Sequence, residues 1–160
     1  MTTTTTTTAT TAATPATRRA GIAGALARRW PTGVGIAATA ASLSLLAPLS
    51  ERVQTWVSAW CVLLAAVIYL TWGTARGDLA SRRLLSLQTA AVLGFGAIAI
   101  AAVAAQPGVA RYVLAAGWLA HAIWDVAHHR ADRVVPRWYA ETCLVSDLII
   151  ATALLAVGSV

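Results

Sequence analysis

The chain has 160 residues, of which 58% are hydrophobic and only 11% are charged, and its formal net charge is +6. So few charged residues exclude an ordinary soluble globular domain and indicate an integral membrane protein whose main partner is the lipid bilayer. The positive charge does not indicate nucleic-acid binding, because no soluble basic and aromatic domain is present to carry out that function.

The N-terminal part differs in character from the rest of the chain. Residues 1–17, MTTTTTTTATTAATPAT, are low-complexity and lack an apolar period, which predicts a disordered tail. Residues 18–32 form a basic juxtamembrane segment in which Ile22, Leu26 and Trp30 recur at helical spacing among four arginines. This pattern fits a short helix on an anionic inner leaflet, and equally a basic flank that only fixes topology.

Five apolar segments follow, at residues 33–49, 56–73, 86–105, 109–127 and 139–160. A helix needs ~20 mostly apolar residues, with ~17 as a minimum, to cross the hydrocarbon core. The first segment is the shortest and contains Ser42, Ser44 and Pro48. The predicted fold class is an all-α membrane protein, a bundle of five transmembrane helices, or of four if segment 33–49 lies in the interface.

The arginines predict the orientation of this bundle. Most of them lie before the first segment, between the second and third, or between the fourth and fifth, and only Arg52 and Arg111 lie in the alternate loops. Because basic residues near short loops stay in the cytoplasm, the N-terminus is predicted to be cytoplasmic. The protein is then a multi-pass protein of the cell inner (plasma) membrane. Cys61 and Cys143 would lie near opposite membrane faces, so both are predicted to be free thiols.

All three histidines lie in the stretch HAIWDVAHH, residues 121–129, near the end of the fourth segment. At ~100° per residue, His121, Asp125 and His128 share one helical face with Trp118. His121 and Asp125 are one turn apart, so a carboxylate can hold the imidazole or both groups can bind one cation.

The fifth segment carries two further acids, Glu141 and Asp147, which point in different directions. Asp147 is favoured as a partner of the fourth segment by its depth, and Glu141 by its proximity to the loop. A charge at mid-membrane costs ~2.5–3.5 kcal/mol, so such groups normally face the bundle interior. The pattern predicts a polar pocket open to the cytoplasm. Its ligand or proton site is predicted to be His121, Asp125, Glu141 and Asp147, supported by Tyr69, Gln88, Trp118, His128 and Trp138.

Three functions fit these residues. The first is binding or transport of a proton, a divalent cation or a small ligand, and five spans are few for a transporter, so transport would require a homo-oligomer. His121, Asp125 and His128 supply the mixed nitrogen and oxygen ligands of a divalent metal, although their spacing matches no strong metal motif, and no other cofactor is indicated. The second is a membrane-embedded enzyme acting on a lipid or isoprenoid substrate. The third is a structural or accessory subunit in which the polar residues only join helices.

The stretch HAIWDVAHHR followed by VVPRWYAETCLVSD resembles a motif of small, uncharacterised polytopic bacterial membrane proteins. The resemblance covers only residues 117–147, and it implies no activity, cofactor or catalytic residue. It implies that the helix-loop-helix formed by the last two segments is the distinctive part of the chain.

Overall fold

The computed structural model describes residues 27–156 together with Gly24. The predicted disordered tail, most of the basic juxtamembrane segment and the last four residues lie outside the described residues. Every secondary-structure element in the described part is helical, with no strand. Residues 1–30 and residues 31–160 form two separate units, and the second of these is the helical bundle.

The described residues contain five α-helices, close to the five apolar segments. They are α1 (Trp30–Leu46), α2 (Glu51–Ala75), α3 (Arg82–Ala104), α4 (Pro107–Ala131) and α5 (Arg137–Ala156), with a 3₁₀ turn at Asp78–Ala80. The largest boundary difference is at the start of α2, five residues before the predicted segment, whereas α1 begins and ends three residues earlier than predicted. Proline disfavours the α conformation in the residue that precedes it, so Pro48 accounts for the end of α1 at Leu46.

Three of the helices, α2, α3 and α5, are long and apolar enough to cross a membrane. α1 is shorter, at 17 residues. α4 has 25 residues but carries Arg111, Asp125 and the three histidines, which lower its average hydropathy. The chain is therefore a helical protein with three helices of membrane-spanning length and composition.

α4 lies at the centre of the bundle. Nine of its residues are buried, against three to five in each of the other four helices. Its Trp118 donates a hydrogen bond to Ser58 of α2 at 2.9 Å. A Cβ on Gly117 would lie 2.8 Å from the side chain of Ile98, so this glycine allows α3 to approach closely. The central position of α4 explains how so polar a helix is accommodated, because its polar face is turned toward its neighbours.

α1 packs against α5 through small and hydroxyl-bearing residues. Thr142 donates a hydrogen bond to the carbonyl of Pro31 at 3.2 Å, and Ser146 donates one to the carbonyl of Gly35 at 3.4 Å. Both contacts advance by one turn in the same direction, so the two helices run parallel. A Cβ on Gly35 would lie 2.7 Å from the carbonyl oxygen of Thr142, and only glycine allows this approach.

Consecutive helices of the bundle run antiparallel, so alternate loops gather at the same end. The end formed by loops 76–81 and 132–136 is called the arginine-rich end below. Its described arginines are Arg76, Arg82, Arg83, Arg130, Arg133 and Arg137, whereas Arg52 and Arg111 lie at the opposite end. Cys61 and Cys143 are free thiols, which confirms that prediction.

Candidate functional site

The centre of the site is a contact between α4 and α5. Nδ1 of His121 lies 2.8 Å from Oδ2 of Asp147 and 3.5 Å from Oδ1 of Asp125. His121 and Asp125 are 0% exposed and Asp147 is 2% exposed. The structure therefore brings two carboxylates to one imidazole in a place that water does not reach from outside. These three residues are called the His121 cluster below.

Aromatic side chains enclose the His121 cluster. The hydroxyl of Tyr69, on α2, donates a hydrogen bond to Oδ1 of Asp125. The rings of Tyr69 and Phe95 meet the imidazole of His121 edge-on, with ring centres 5.4 Å and 5.1 Å away. Trp118 lies one turn along α4, with its ring centre 6.5 Å from that of His121. These rings orient the imidazole and exclude solvent, so charges in the cluster interact at low dielectric.

Two buried polar atoms of the His121 cluster lack a hydrogen-bond partner among the described residues. They are Nε2 of His121 and Oδ2 of Asp125. Buried polar atoms in proteins are nearly always paired, and each unpaired one costs free energy. The cluster therefore has unused capacity to bind a proton or a cation.

A second polar pair lies on the arginine-rich side of the cluster. Nε2 of His128 is 2.8 Å from the side-chain nitrogen of Gln88, and its Nδ1 is 2.8 Å from the carbonyl oxygen of Trp124. A carbonyl only accepts hydrogen bonds, so Nδ1 carries the hydrogen and Nε2 of the neutral ring accepts one from the Gln88 amide. Both ring nitrogens of His128 are occupied in this way.

The group that could hold a metal therefore differs from the predicted set of His121, Asp125 and His128. Ligand atoms of His121, Asp125 and Asp147 all lie within 4.8 Å of one another. Asp147 replaces His128 as the third candidate metal ligand, because both ring nitrogens of His128 are hydrogen-bonded to Gln88 and Trp124. Helical periodicity could show that His128 shares the face of His121, but it could not show which residue of α5 lies opposite that face.

The other predicted site residues lie outside the His121 cluster. Glu141 accepts a hydrogen bond from Thr32 and so faces α1. Trp138 is exposed, with its ring centre 6.1 Å from that of Trp72. Glu141 and Asp147 are six residues apart and point in different directions, as predicted, and it is Asp147 that contacts His121.

The structure contradicts the prediction that the polar site is open to the cytoplasm. Every member of the His121 cluster is buried, and Tyr69 is 0% exposed beside it. Loop 132–136 covers this region, since Val134 and Val135 are 1% and 0% exposed and pack in the same apolar group as Tyr69. Hydropathy identified 132–136 only as a connection. Its two adjacent valines between arginines were the available signal that part of it is buried.

The geometry of the His121 cluster is compatible with a divalent metal. A tetrahedral ion with bonds of ~2.0–2.2 Å to nitrogen and oxygen holds its ligand atoms ~3.3–3.6 Å apart. The distance from Nδ1 of His121 to Oδ1 of Asp125, 3.5 Å, matches that spacing, whereas the 2.8 Å hydrogen bond from His121 to Asp147 would have to open by ~0.5 Å to admit the ion. Two carboxylates with a neutral imidazole carry a formal charge of −2, which one divalent cation balances. Three protein ligands leave a fourth position for water or another ligand, as in many zinc sites.

Comparisons of the chain with protein-family models, with curated proteins and with solved structures gave no match. The function is therefore argued from the geometry of the His121 cluster.

Proposed function

We propose that this chain is a multi-pass protein of the inner (plasma) membrane, with five spans and a cytoplasmic N-terminus, that binds a divalent cation at His121, Asp125 and Asp147. The observation that carries the proposal is the convergence of three metal-binding side chains from two helices, all buried, with their ligand atoms within 4.8 Å. First-row metals such as zinc, manganese or iron suit this mixture of one nitrogen and two oxygen ligands.

The arrangement of the helices supports the five-span topology. α1 and α5 run parallel, as the first and fifth spans of an alternating bundle must. The described arginines of the bundle divide six to two between its ends, and the richer end is the cytoplasmic one under the positive-inside rule. In this topology α4 crosses the membrane although it carries a histidine and an aspartate in its interior, because neighbouring helices cover both.

The charge of the His121 cluster supports a cation as its ligand. Among the described residues, the imidazole of His121 is the only basic side chain within salt-bridge distance of Asp125 and Asp147. No arginine of the bundle reaches either carboxylate. Ionised groups away from water are costly unless they are compensated. A bound divalent cation would compensate both carboxylates, and Oδ2 of Asp125, which has no partner among the described residues, is free to contribute to its coordination.

Metal content tests the proposal directly. The protein is purified in detergent, incubated with Zn²⁺, Mn²⁺ or Fe²⁺, freed of excess metal and subjected to elemental analysis. About one metal per chain is expected for the wild type. His121→Ala and Asp125→Asn should lose it. Glu141→Gln is the matched control, because it neutralises an acid of α5 that faces α1, and it should retain the metal.

The variants must keep their fold for the comparison to count. Circular dichroism and size-exclusion chromatography check that helix content and dispersity are unchanged. A wild type that retains none of the three metals at neutral pH would overturn the proposal. Equal metal content in the wild type and in both ligand variants would show that the metal binds elsewhere.

A structural role is the second candidate, and one contact favours it. The 2.8 Å hydrogen bond between His121 and Asp147 joins α4 to α5 without any metal. Hydrogen bonds between membrane helices contribute ~0.6 kcal/mol on average, so one such bond is a modest gain for burying three ionisable groups. In this alternative, the wild type holds no metal, and the Asp147→Asn variant has a lower melting temperature than the wild type.

A further inference from the structure

Loop 132–136 contains an unusual backbone conformation. Val134 has a φ of 73°, in the left-handed region that β-branched residues rarely adopt. Asp132 also has a positive φ, 52°, but it ends α4 as a left-handed cap, which is a common conformation at that position. The strain therefore lies at Val134, and it persists only if surrounding contacts hold the residue in place.

One side chain supplies the main polar contact that holds Val134. Oδ2 of Asp78, in the loop after α2, accepts a hydrogen bond from the backbone nitrogen of Val134 at 2.9 Å. Arg76 and Arg133 lie beside the same carboxylate, at 3.3 Å and 3.9 Å. Asp78 therefore joins the two loops of the arginine-rich end by a charge-assisted hydrogen bond to Val134 and an ion pair with Arg133, while Arg76 pairs with it inside its own loop.

The side chain of Val134 fills a space that the sequence of α2 leaves for it. A Cβ on Gly73 would lie 3.0 Å from Cγ1 of Val134 and 3.1 Å from Leu79. Val134, Val135 and Leu79 form one buried apolar group with Tyr69, whose hydroxyl holds Asp125. The loop therefore covers the His121 cluster on the side of the arginine-rich end.

Beside Tyr69, which loop 132–136 covers, lie polar side chains that a route to the His121 cluster would need. Gln88 and His128 are 1% and 6% exposed and bind each other. The ring centre of His128 is 4.9 Å from that of Tyr69. Gln88 and His128 are joined by a hydrogen bond, His128 contacts the ring of Tyr69, and the Tyr69 hydroxyl donates to Asp125, so these side chains lead one after another to the cluster.

We propose that loop 132–136 is a gate over the His121 cluster and that Asp78 is the latch that keeps it closed. The proposal rests on the proposed cation site, because it describes how a cation reaches that site. When the hydrogen bond from Val134 to Asp78 breaks, the strained residue leaves its left-handed conformation. Val134 and Val135 then move off Tyr69, and water and cations reach Gln88 and His128 from the arginine-rich end.

Thiol labelling tests the gate without reference to any metal. Gln88→Cys is introduced in a background with Cys61→Ser and Cys143→Ser, and its reaction rate with a water-soluble methanethiosulfonate is measured in detergent. Adding Asp78→Ala should raise this rate roughly tenfold or more, as expected for the loss of a hydrogen bond to a charged group. Asp132→Asn is the matched control, because it removes one negative charge from loop 132–136, and with it the 3.4 Å ion pair with Arg137, but leaves the hydrogen bond from Val134 to Asp78. It should leave the labelling rate unchanged.

A second variant distinguishes the hydrogen bond from the ion pairs. Asp78→Asn retains an oxygen that can accept the Val134 hydrogen bond but loses the charge, so its labelling rate should fall between those of the wild type and Asp78→Ala. If Asp78→Ala does not fold, faster labelling of Gln88→Cys with Asp78→Asn than with Asp132→Asn supports the role of Asp78 as the latch. Equal rates in these two variants overturn it. A labelling rate in folded Asp78→Ala within twofold of wild type also overturns the gate.

Zn²⁺ exchange then connects the gate to the proposed site. With the native Gln88, uptake and release of Zn²⁺ should both be faster in Asp78→Ala than in Asp132→Asn, while the equilibrium affinity changes much less. Unchanged Zn²⁺ rates together with faster labelling would place the loop off the cation route and overturn the gate. A wild type that binds no metal, together with faster labelling in Asp78→Ala, would refute the cation site and leave the gate over a buried polar cluster.

Discussion

The hydroxyl of Tyr69 provides the sharpest test of how the site is organised. It is 0% exposed and donates a hydrogen bond to Asp125, while the ring lies edge-on to His121 and His128. Tyr69→Phe removes only the hydroxyl and leaves the ring in place. Asp125 would then lose its hydrogen-bond donor on α2 and keep the 3.5 Å approach of His121 and the neighbouring carboxyl of Asp147.

The expected magnitude follows from two independent estimates. Loss of a group that orients a metal ligand lowers metal affinity by ~10–100-fold, which corresponds to ~1.4–2.7 kcal/mol. A hydrogen bond to a charged group contributes ~1.5–3 kcal/mol, and the buried site offers no water to replace it. The two ranges overlap. We therefore expect the dissociation constant for Zn²⁺ to rise by ~10–100-fold in Tyr69→Phe.

The assay is competition for Zn²⁺ between the detergent-purified protein and a chromophoric chelator. Tyr139→Phe is the matched control, since this ring lies 6.1 Å from that of Tyr69 but makes no hydrogen bond to Asp125 among the described residues. Its affinity should equal that of the wild type. If Tyr69→Phe and the wild type bind Zn²⁺ with dissociation constants within twofold, Asp125 is not a ligand oriented by Tyr69, and the proposed organisation of the site is wrong.

Two further predictions concern the fold. Gly35→Ala should lower the free energy of unfolding by ~1–3 kcal/mol, because the new methyl group would lie 2.7 Å from the carbonyl of Thr142, whereas Gly33→Ala has no neighbour within 4 Å and should not destabilise. Thermal unfolding in detergent measures both, and equal melting temperatures would contradict the close packing of α1 on α5. A phosphatase reporter that folds only outside the cytoplasm should be active when fused after Val160, and inactivity there would contradict five spans.

The extent of the helices could be predicted from the sequence because hydropathy and periodicity are local properties. Apolar runs of about 17 to 22 residues identified the five helices of the described residues, although the first run was extended past Pro48 to residue 49 and the helix ends at Leu46. The shared face of His121, Asp125 and His128 also followed from ~100° per residue, since residues of one helix keep their relative directions whatever packs against them.

The pairing of residues between helices was decided by the tertiary structure. Asp147 rather than Glu141 meets His121 because α5 turns its Asp147 face to α4 and its Glu141 face to α1, and helical spacing within α5 is the same for either rotation. The closure of the site depends on contacts between residues distant in the chain, such as Asp78 with Val134. The sequence by itself determined which residues are polar within apolar helices. Only the packing of the other helices around α4, together with the loops of the arginine-rich end, decided which of these polar residues contact one another and that their contacts are buried.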